Sequence, residues 1–259
     1  MLGSDGWARW SRWLWLWGLI GGLACTPERA AIPYQAAAPS ARVLQTLAYP
    51  PFWRDPATAA RYRRQGLAYR AAQQYDRAIA TLQIATALDP DAVAGWVILG
   101  WTQHLAGDTR GAIATLQTAL ARIPEHVPAL NALGIVYLVQ GDLSAAVNTH
   151  QRAIALQPDN EVAHYNLSLA YDRLNRPQAA IQHAQTATQL APDNPHHWLA
   201  LALAQIAATQ PAAAREAYQK AIRQDSRYRQ ADFLAHLSQA GFSTPQIDRI
   251  NHLRTAIVD

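Results

Sequence analysis

Residues 93–126 read VAGWVILGWTQHLAGDTRGAIATLQTALARIPEH, and residues 127–160 read VPALNALGIVYLVQGDLSAAVNTHQRAIALQPDN. Laid one above the other, Leu99-Gly100 meets Leu133-Gly134, Ala112 meets Ala146, Ala119 meets Ala153 and Pro124 meets Pro158. The register extends in both directions. Gln65-Gly66 precedes, and Leu167-Ser168 and Leu201-Ala202 follow, each pair 34 residues after the last. Ala78, Ala180 and Ala214 join the first alanine column, and Ala85, Ala187 and Ala221 the second. Pro90 and Pro192 join the proline column, with Ser226 in the fifth place. Apolar residues in each first half recur at helical spacing, as in Leu130, Leu133 and Tyr137. The period predicts a stack of helix pairs. No single pair can bury its apolar face, so neighbours must supply the cover.

Each column has a physical reason. Gly66, Gly100 and Gly134, replaced by Ser168 and Ala202, are small enough for paired helices to approach closely. Gly107, Gly141 and Asn175 suit the left-handed backbone that ends a first helix. Asp108 and Asp142 follow as N-caps for the second helix. Pro177 and Pro211 sit where a first-turn proline is tolerated. After Tyr228 the rhythm breaks. Residues 230–240 are expected to form a further helix with Phe233, Leu234 and Leu237 inward, ended by Gly241. A last helix is expected over 244–257, with Ile247, Ile250, Leu253 and Ile257 on one face.

This pattern resembles the tetratricopeptide repeat. The resemblance implies an all-α, right-handed superhelical solenoid of about five helix–turn–helix repeats plus C-terminal capping helices. The repeats are placed at 59–92, 93–126, 127–160, 161–194 and 195–228, with capping helices over 229–259.

Composition excludes several classes. Half of the 259 residues are hydrophobic and 15% are charged, too apolar a balance for a disordered chain. A single cysteine rules out a disulfide framework or a multi-cysteine zinc site within the chain. The net charge is +4, and no basic run marks a nucleic-acid tract, so no nucleic-acid partner is expected.

The N-terminus reads as an address. Arg9 and Arg12 precede an uncharged run over 13–24, WLWLWGLIGGLA. A basic start followed by a short apolar run is the pattern of a secretory signal. Twelve residues rise about 18 Å as a helix, short of the ~30 Å hydrocarbon core, which favours a processed signal over a spanning anchor. The run ends in Gly22-Leu23-Ala24-Cys25, which resembles the lipobox of bacterial lipoproteins. That resemblance implies lipidation of Cys25, although Gly22 stands where the family has a larger aliphatic residue. Processed or retained, the charge bias places the remainder across the membrane from the cytoplasm. Six prolines between Thr26 and Pro56 mark residues 25–58 as a linker, with a short helix expected near 41–48. The aromatic tract YPPFW at 49–53 is expected to dock on the first repeat as a cap.

No catalytic constellation is present: no HExxH, no Gly-rich phosphate loop and no GxSxG elbow occurs. His196 and His197 are adjacent, so on a helix they point about 100° apart and cannot hold one metal side by side. His150 and His183 fall in packing columns. Neither an enzymatic role, a metal nor a cofactor is expected.

In the resembled family the first helix of each repeat lines a concave groove that holds partner peptides or helices. The central column reads Leu67, Trp101, Ile135, Leu169 and Leu203. Four residues earlier stand Arg63, Val97, Asn131, Tyr165 and Leu199, and three later stand Arg70, His104, Leu138, Asp172 and Ile206. These spacings share one helix face. An exposed apolar stripe of Trp101, Ile135, Leu169 and Leu203 is expected, basic at its N-terminal end, with Trp101 and Tyr165 as anchors. Either a protein partner fills it, or the final helix or the aromatic linker folds into it. Leu67 stands where a chaperone-tail clamp has asparagine, and the only lysine, Lys220, lies in a second helix. Of the asparagine ladder of sugar-transferase repeats only Asn166 remains. The function implied is a membrane-tethered adaptor in an envelope or membrane-complex assembly process. The alternatives are a soluble exported module with a closed groove, or a factor of the photosystem-assembly type.

Overall fold

The computed structural model describes residues 54–258. The signal segment, Cys25, the helix expected near 41–48 and the aromatic tract all lie outside the described residues. Those described form eleven α-helices and two 3-10 stretches, with no strand among them. They fall into two compact units that divide between Gly107 and Asp108.

The first unit contains α1 (Pro56–Ala71), α2 (Tyr75–Leu88) and α3 (Val93–Leu105), with α2 packed on both α1 and α3. The second contains α4 (Thr109–Arg122), α5 (Val127–Gln140), α6 (Leu143–Leu156), α7 (Glu161–Arg173), α8 (Pro177–Leu190), α9 (Pro195–Ala207) and α10 (Pro211–Gln224). Each of these packs on its neighbour in sequence, and α7 also touches α5 and α9, as in a stacked array. The helices α3, α5, α7 and α9 start 34 residues apart. Among the described residues no helix is long and apolar enough to cross a membrane.

Local chemistry explains where the helices start and stop. The Asp108 carboxylate accepts from Gly111 N at 2.9 Å and caps α4, and Asp142 accepts from Ala145 N at 3.0 Å and caps α6. Pro177 and Pro211 occupy the first positions of α8 and α10. Gly107, Gly141 and Asn175 have φ of 84°, 96° and 55°. The same left-handed turn occurs at Gln73 (φ 58°) and Thr209 (φ 56°), neither of which advertises it. The turn is therefore imposed by the packing of the array and not by the residue at that position.

Close approach also follows the columns. A Cβ added to Gly66 would lie 2.6 Å from Leu82 Cγ, and one added to Gly134 would lie 2.5 Å from His150 Nε2. The second-helix side chain presses onto the glycine in both pairs.

Beyond α10 the winding tightens. Ser226–Arg229 is a 3-10 turn, and the further helix expected over 230–240 is a 3-10 run, Asp232–Ala240. Leu234 and Leu237 are both fully buried, a spacing of three that the 3-10 repeat accommodates and that an α-helix would also allow. Tyr228 is anchored just before, its carbonyl accepting from Tyr218 Oη at 2.6 Å. Gly241 ends the run at φ 87°. The last helix, α11 (Thr244–Val258), packs on α9 and α10 and buries Ile250 and Leu253. Ile247 and Ile257 lie at the margin of the same core.

Candidate protein-docking surface

In the first unit the candidate residues come from α1 and α3. Arg63 Nη1 pairs with Asp89 Oδ2 at 3.1 Å, so its charge is already answered. Leu67 is half-buried. Arg70 is half-buried as a residue, yet its Nη1 is enclosed without a hydrogen-bond partner. Burial lowers its pKa from the usual guanidinium value. Trp101 is half-buried, its ring 5.0 Å from that of His104. Burial lowers the pKa of His104, which favours a neutral ring. Val97, expected on the groove, is 1% exposed and belongs to the core.

The second unit treats its candidates differently. Asn131 is buried and exchanges amide hydrogen bonds with Asn160, at 3.2 and 3.0 Å. Asn160 also accepts from Ala163 N, so this pair ties α5 to the cap of α7. Ile135 remains half-buried. Leu138, Leu169, Leu199 and Leu203 are 0% exposed, Asp172 6% and Tyr165 9%. The expected exposed stripe therefore ends before Leu169 and Leu203.

The chain's own C-terminal segment lies against Leu138, Tyr165, Leu169 and Asp172. Tyr165 Oη donates to Ala240 O at 2.5 Å, and its ring lies 6.3 Å from that of Phe242. Tyr165, expected to anchor an incoming partner, is engaged already. At Gly241 an added Cβ would touch Leu138 Cδ2 at 3.6 Å and Leu169 Cδ1 at 3.7 Å. Gln246 Nε2 donates to Leu169 O at 3.2 Å and to Asp172 Oδ2 at 2.8 Å. Arg249 Nη1 donates to Asp172 Oδ1 at 3.1 Å, and Nη2 pairs with Oδ2. The last helix thus both closes the end of the core and lies over first-helix residues of α7. Sequence reasoning misses Gln246 and Arg249 because only the apolar face of α11 carries a periodic signal.

Ile206 lines a shallow cleft of about 530 Å³ with Pro211, Arg215, Arg249, His252 and Leu253.

The histidines pack. His150 is 0% exposed, with neither ring nitrogen hydrogen-bonded, and burial pushes its pKa down to about 3. His164 Nε2 lies 3.0 Å from Pro158 O, so this nitrogen carries the proton in the neutral ring. Its Nδ1 then accepts from His183 Nδ1 at 3.0 Å. His183 stacks on Tyr171 with centroids 5.5 Å apart; burial and then His164 bring its pKa to about 4. His197 Nδ1 donates to Ala187 O at 3.0 Å, and burial takes its pKa to about 4. His196 is half-buried, its Nε2 3.5 Å from that of His236. Among the described residues no group of three or more ligating side chains gathers at one point.

Helix pairs, a 34-residue period and left-handed turns between paired helices define a repeat protein of the helix–turn–helix kind. A family profile described as tetratricopeptide repeat matches residues 63–127, 105–161, 131–195 and 199–249. These matches span more than half of the chain, which belongs to the tetratricopeptide repeat family. Among solved structures, a crystal structure of MamA protein is 25% identical, covers 66% of this chain and 93% of its own, and superposes with a TM-score of 0.56. A crystal structure of a thermophilic TPR protein of Thermus thermophilus, TTC0263, is 22% identical. It covers 71% of this chain and 98% of its own at a TM-score of 0.57, a likeness of fold alone. A comparison with curated proteins gives no match.

Proposed function

We propose that this protein is a non-catalytic adaptor, held at a membrane by its exported N-terminus, that takes a helix or peptide of a protein partner on the first-helix face of its repeats. The observation that carries this reading is the first unit. Leu67 and Trp101 keep part of their apolar surface in solvent there, and Arg70 in the same columns is half-buried. Half-exposed aromatic and Arg side chains are the usual energetic anchors of an interface. The tether rests on the signal-like start and Cys25, and places the repeats on the non-cytoplasmic side.

The test replaces Trp101 with a photoreactive residue in membranes of the native host. A distinct protein crosslinked there supports the adaptor; a crosslink only to the chain itself overturns it. Detergent-phase partitioning of Cys25→Ala tests the lipid separately, since an unchanged distribution means that Cys25 carries no anchor. A second reading, a soluble exported module with a self-closed groove, is favoured by the cover over Tyr165, Leu169 and Asp172.

A further inference from the structure

The cover over α7 differs in kind from the rest of the C-terminal packing. Against α9 and α10, α11 contributes Ile250 and Leu253, the apolar contacts that any cap supplies. Against α7 the contacts are directional and polar. A tyrosine hydroxyl reads the Ala240 carbonyl. Gln246, 1% exposed, reads the Leu169 carbonyl and one oxygen of Asp172. Arg249 forks both oxygens of the same carboxylate. A left-handed glycine seats the entering turn against Leu138 and Leu169, and Phe242 follows it onto Tyr165. An aromatic contact, a backbone acceptor and a forked charge are how a groove selects one helix among many. A permanent apolar cap has no need of them, because each buried polar group must be matched or it destabilises.

We propose that residues 240–250 are a built-in ligand, and that the surface they occupy on α7 accepts from a partner a short amphipathic helix entered through an aromatic turn and carrying a basic side chain to Asp172. The inference rests on the adaptor function and names the chemistry of its ligand. Charge complementarity fixes the sign. Asp172 is the one acidic residue in the groove columns, with 1% of its side chain exposed, so an incoming segment must bring a donor or a cation to it. The way the segment is joined allows exchange. It hangs from the 3-10 run Asp232–Ala240, whose hydrogen bonds are poorer than those of an α-helix, so the segment lifts together with the rest of α11 and gives up the Ile250 and Leu253 contacts as it does.

The test needs no native partner. A fluorescein-labelled peptide of residues 240–258 is titrated into the full chain, into Gln246→Ala/Arg249→Ala, and into that variant carrying Asp172→Asn as well. The double variant weakens the internal ligand and leaves its receptor intact. It is expected to bind the peptide at least about 10-fold more tightly than wild type, and Asp172→Asn to reverse that gain. No binding to a double variant that still melts cooperatively, or binding indifferent to Asp172→Asn, overturns the proposal. If the variant does not fold, hydrogen exchange on the wild-type chain decides. Amides of 244–258 exchanging at least about 10-fold faster than those of α9 support a separable segment, whereas equal protection shows an integral cap. Peptide binding without any partner crosslinked at Trp101 would show that the segment is a displaceable ligand while overturning the partner, so the two failures are told apart.

Discussion

The guanidinium of Arg249 closes on both carboxylate oxygens of Asp172, a residue 77 positions earlier in the chain. The two ends of this pair are unequally buried: the Asp172 side chain is 1% exposed and that of Arg249 35%. Removing Asp172 leaves a cation that can turn to water. Removing Arg249 leaves an enclosed carboxylate to which Gln246 still donates. Stranding a buried charge costs more than losing a hydrogen bond. Arg249→Ala is therefore expected to destabilise more than Asp172→Ala, with losses of about 2–4 against about 1–2 kcal/mol. Urea denaturation of both variants checks the order, and equal losses would show that Asp172 reaches solvent without its partner.

His150 takes the place that Leu82 and Leu116 hold in the two preceding repeats, and it presses on Gly134 as Leu82 presses on Gly66. Leucine at that place makes the same contact without two enclosed and unpaired ring nitrogens. His150→Leu is expected to stabilise the chain by about 1–2 kcal/mol, the penalty of a buried unsatisfied polar group. Gly134→Ala, which drives a Cβ into the ring, is expected to cost about 1–3 kcal/mol through overpacking. In a double-mutant cycle His150→Ala should recover most of that loss, because it empties the space the new methyl needs. Additive losses would place the strain elsewhere.

Much of this architecture is legible in the order of residues. The alanine, glycine and proline columns hold one 34-residue register, and each has a steric reason that survives without coordinates. Capping carboxylates at Asp108 and Asp142 read equally well, because the bond from an N-cap side chain to the first turn is local. The fate of the groove columns is not legible. Leu169 carries the same periodic signal as Trp101, yet it is covered by a segment whose docking is set by Gly241, Gln246 and Arg249. Those contacts span more than 70 residues and follow no period. The winding of 232–240 escapes the sequence for a related reason: leucines three apart suit either an α-helix or a 3-10 helix, and only the anchoring of Tyr228 and the turn at Gly241 select the tighter one.

Thr209 stands in the left-handed column at φ 56°, where the equivalent positions two and three repeats earlier are Gly141 and Gly107. A β-branched residue is strained in that conformation by roughly 1–2 kcal/mol, and its hydroxyl bonds to the carbonyl of Ala208 beside it. Thr209→Gly is expected to raise stability by about 0.5–1 kcal/mol, part of the relief being offset by the added freedom of glycine in the unfolded chain. Gln73→Gly should act in the same direction by less. A thermal melt in which Thr209→Gly is no more stable than wild type would mean that the turn relaxes around threonine at no cost.

Acid should loosen this protein well above the range in which its carboxylates titrate. His150 and His197 are 0% and 3% exposed, and burial holds their pKa values at about 3 and about 4 against 6.5 for a free imidazole. A depressed folded-state pKa means that the unfolded chain binds the extra protons first. Stability is then undiminished above pH 6.5 and falls as the pH drops from there toward 4 and 3. Each histidine contributes a slope of at most about 1.4 kcal/mol per pH unit in that window. The urea midpoint should therefore decline steadily from about pH 7 to about pH 4. His150→Leu should remove one proton's worth of that slope while leaving the neutral-pH plateau at least as high. A midpoint that stays level across that range would show that these rings reach water in the folded protein and take up protons there as freely as in the unfolded chain.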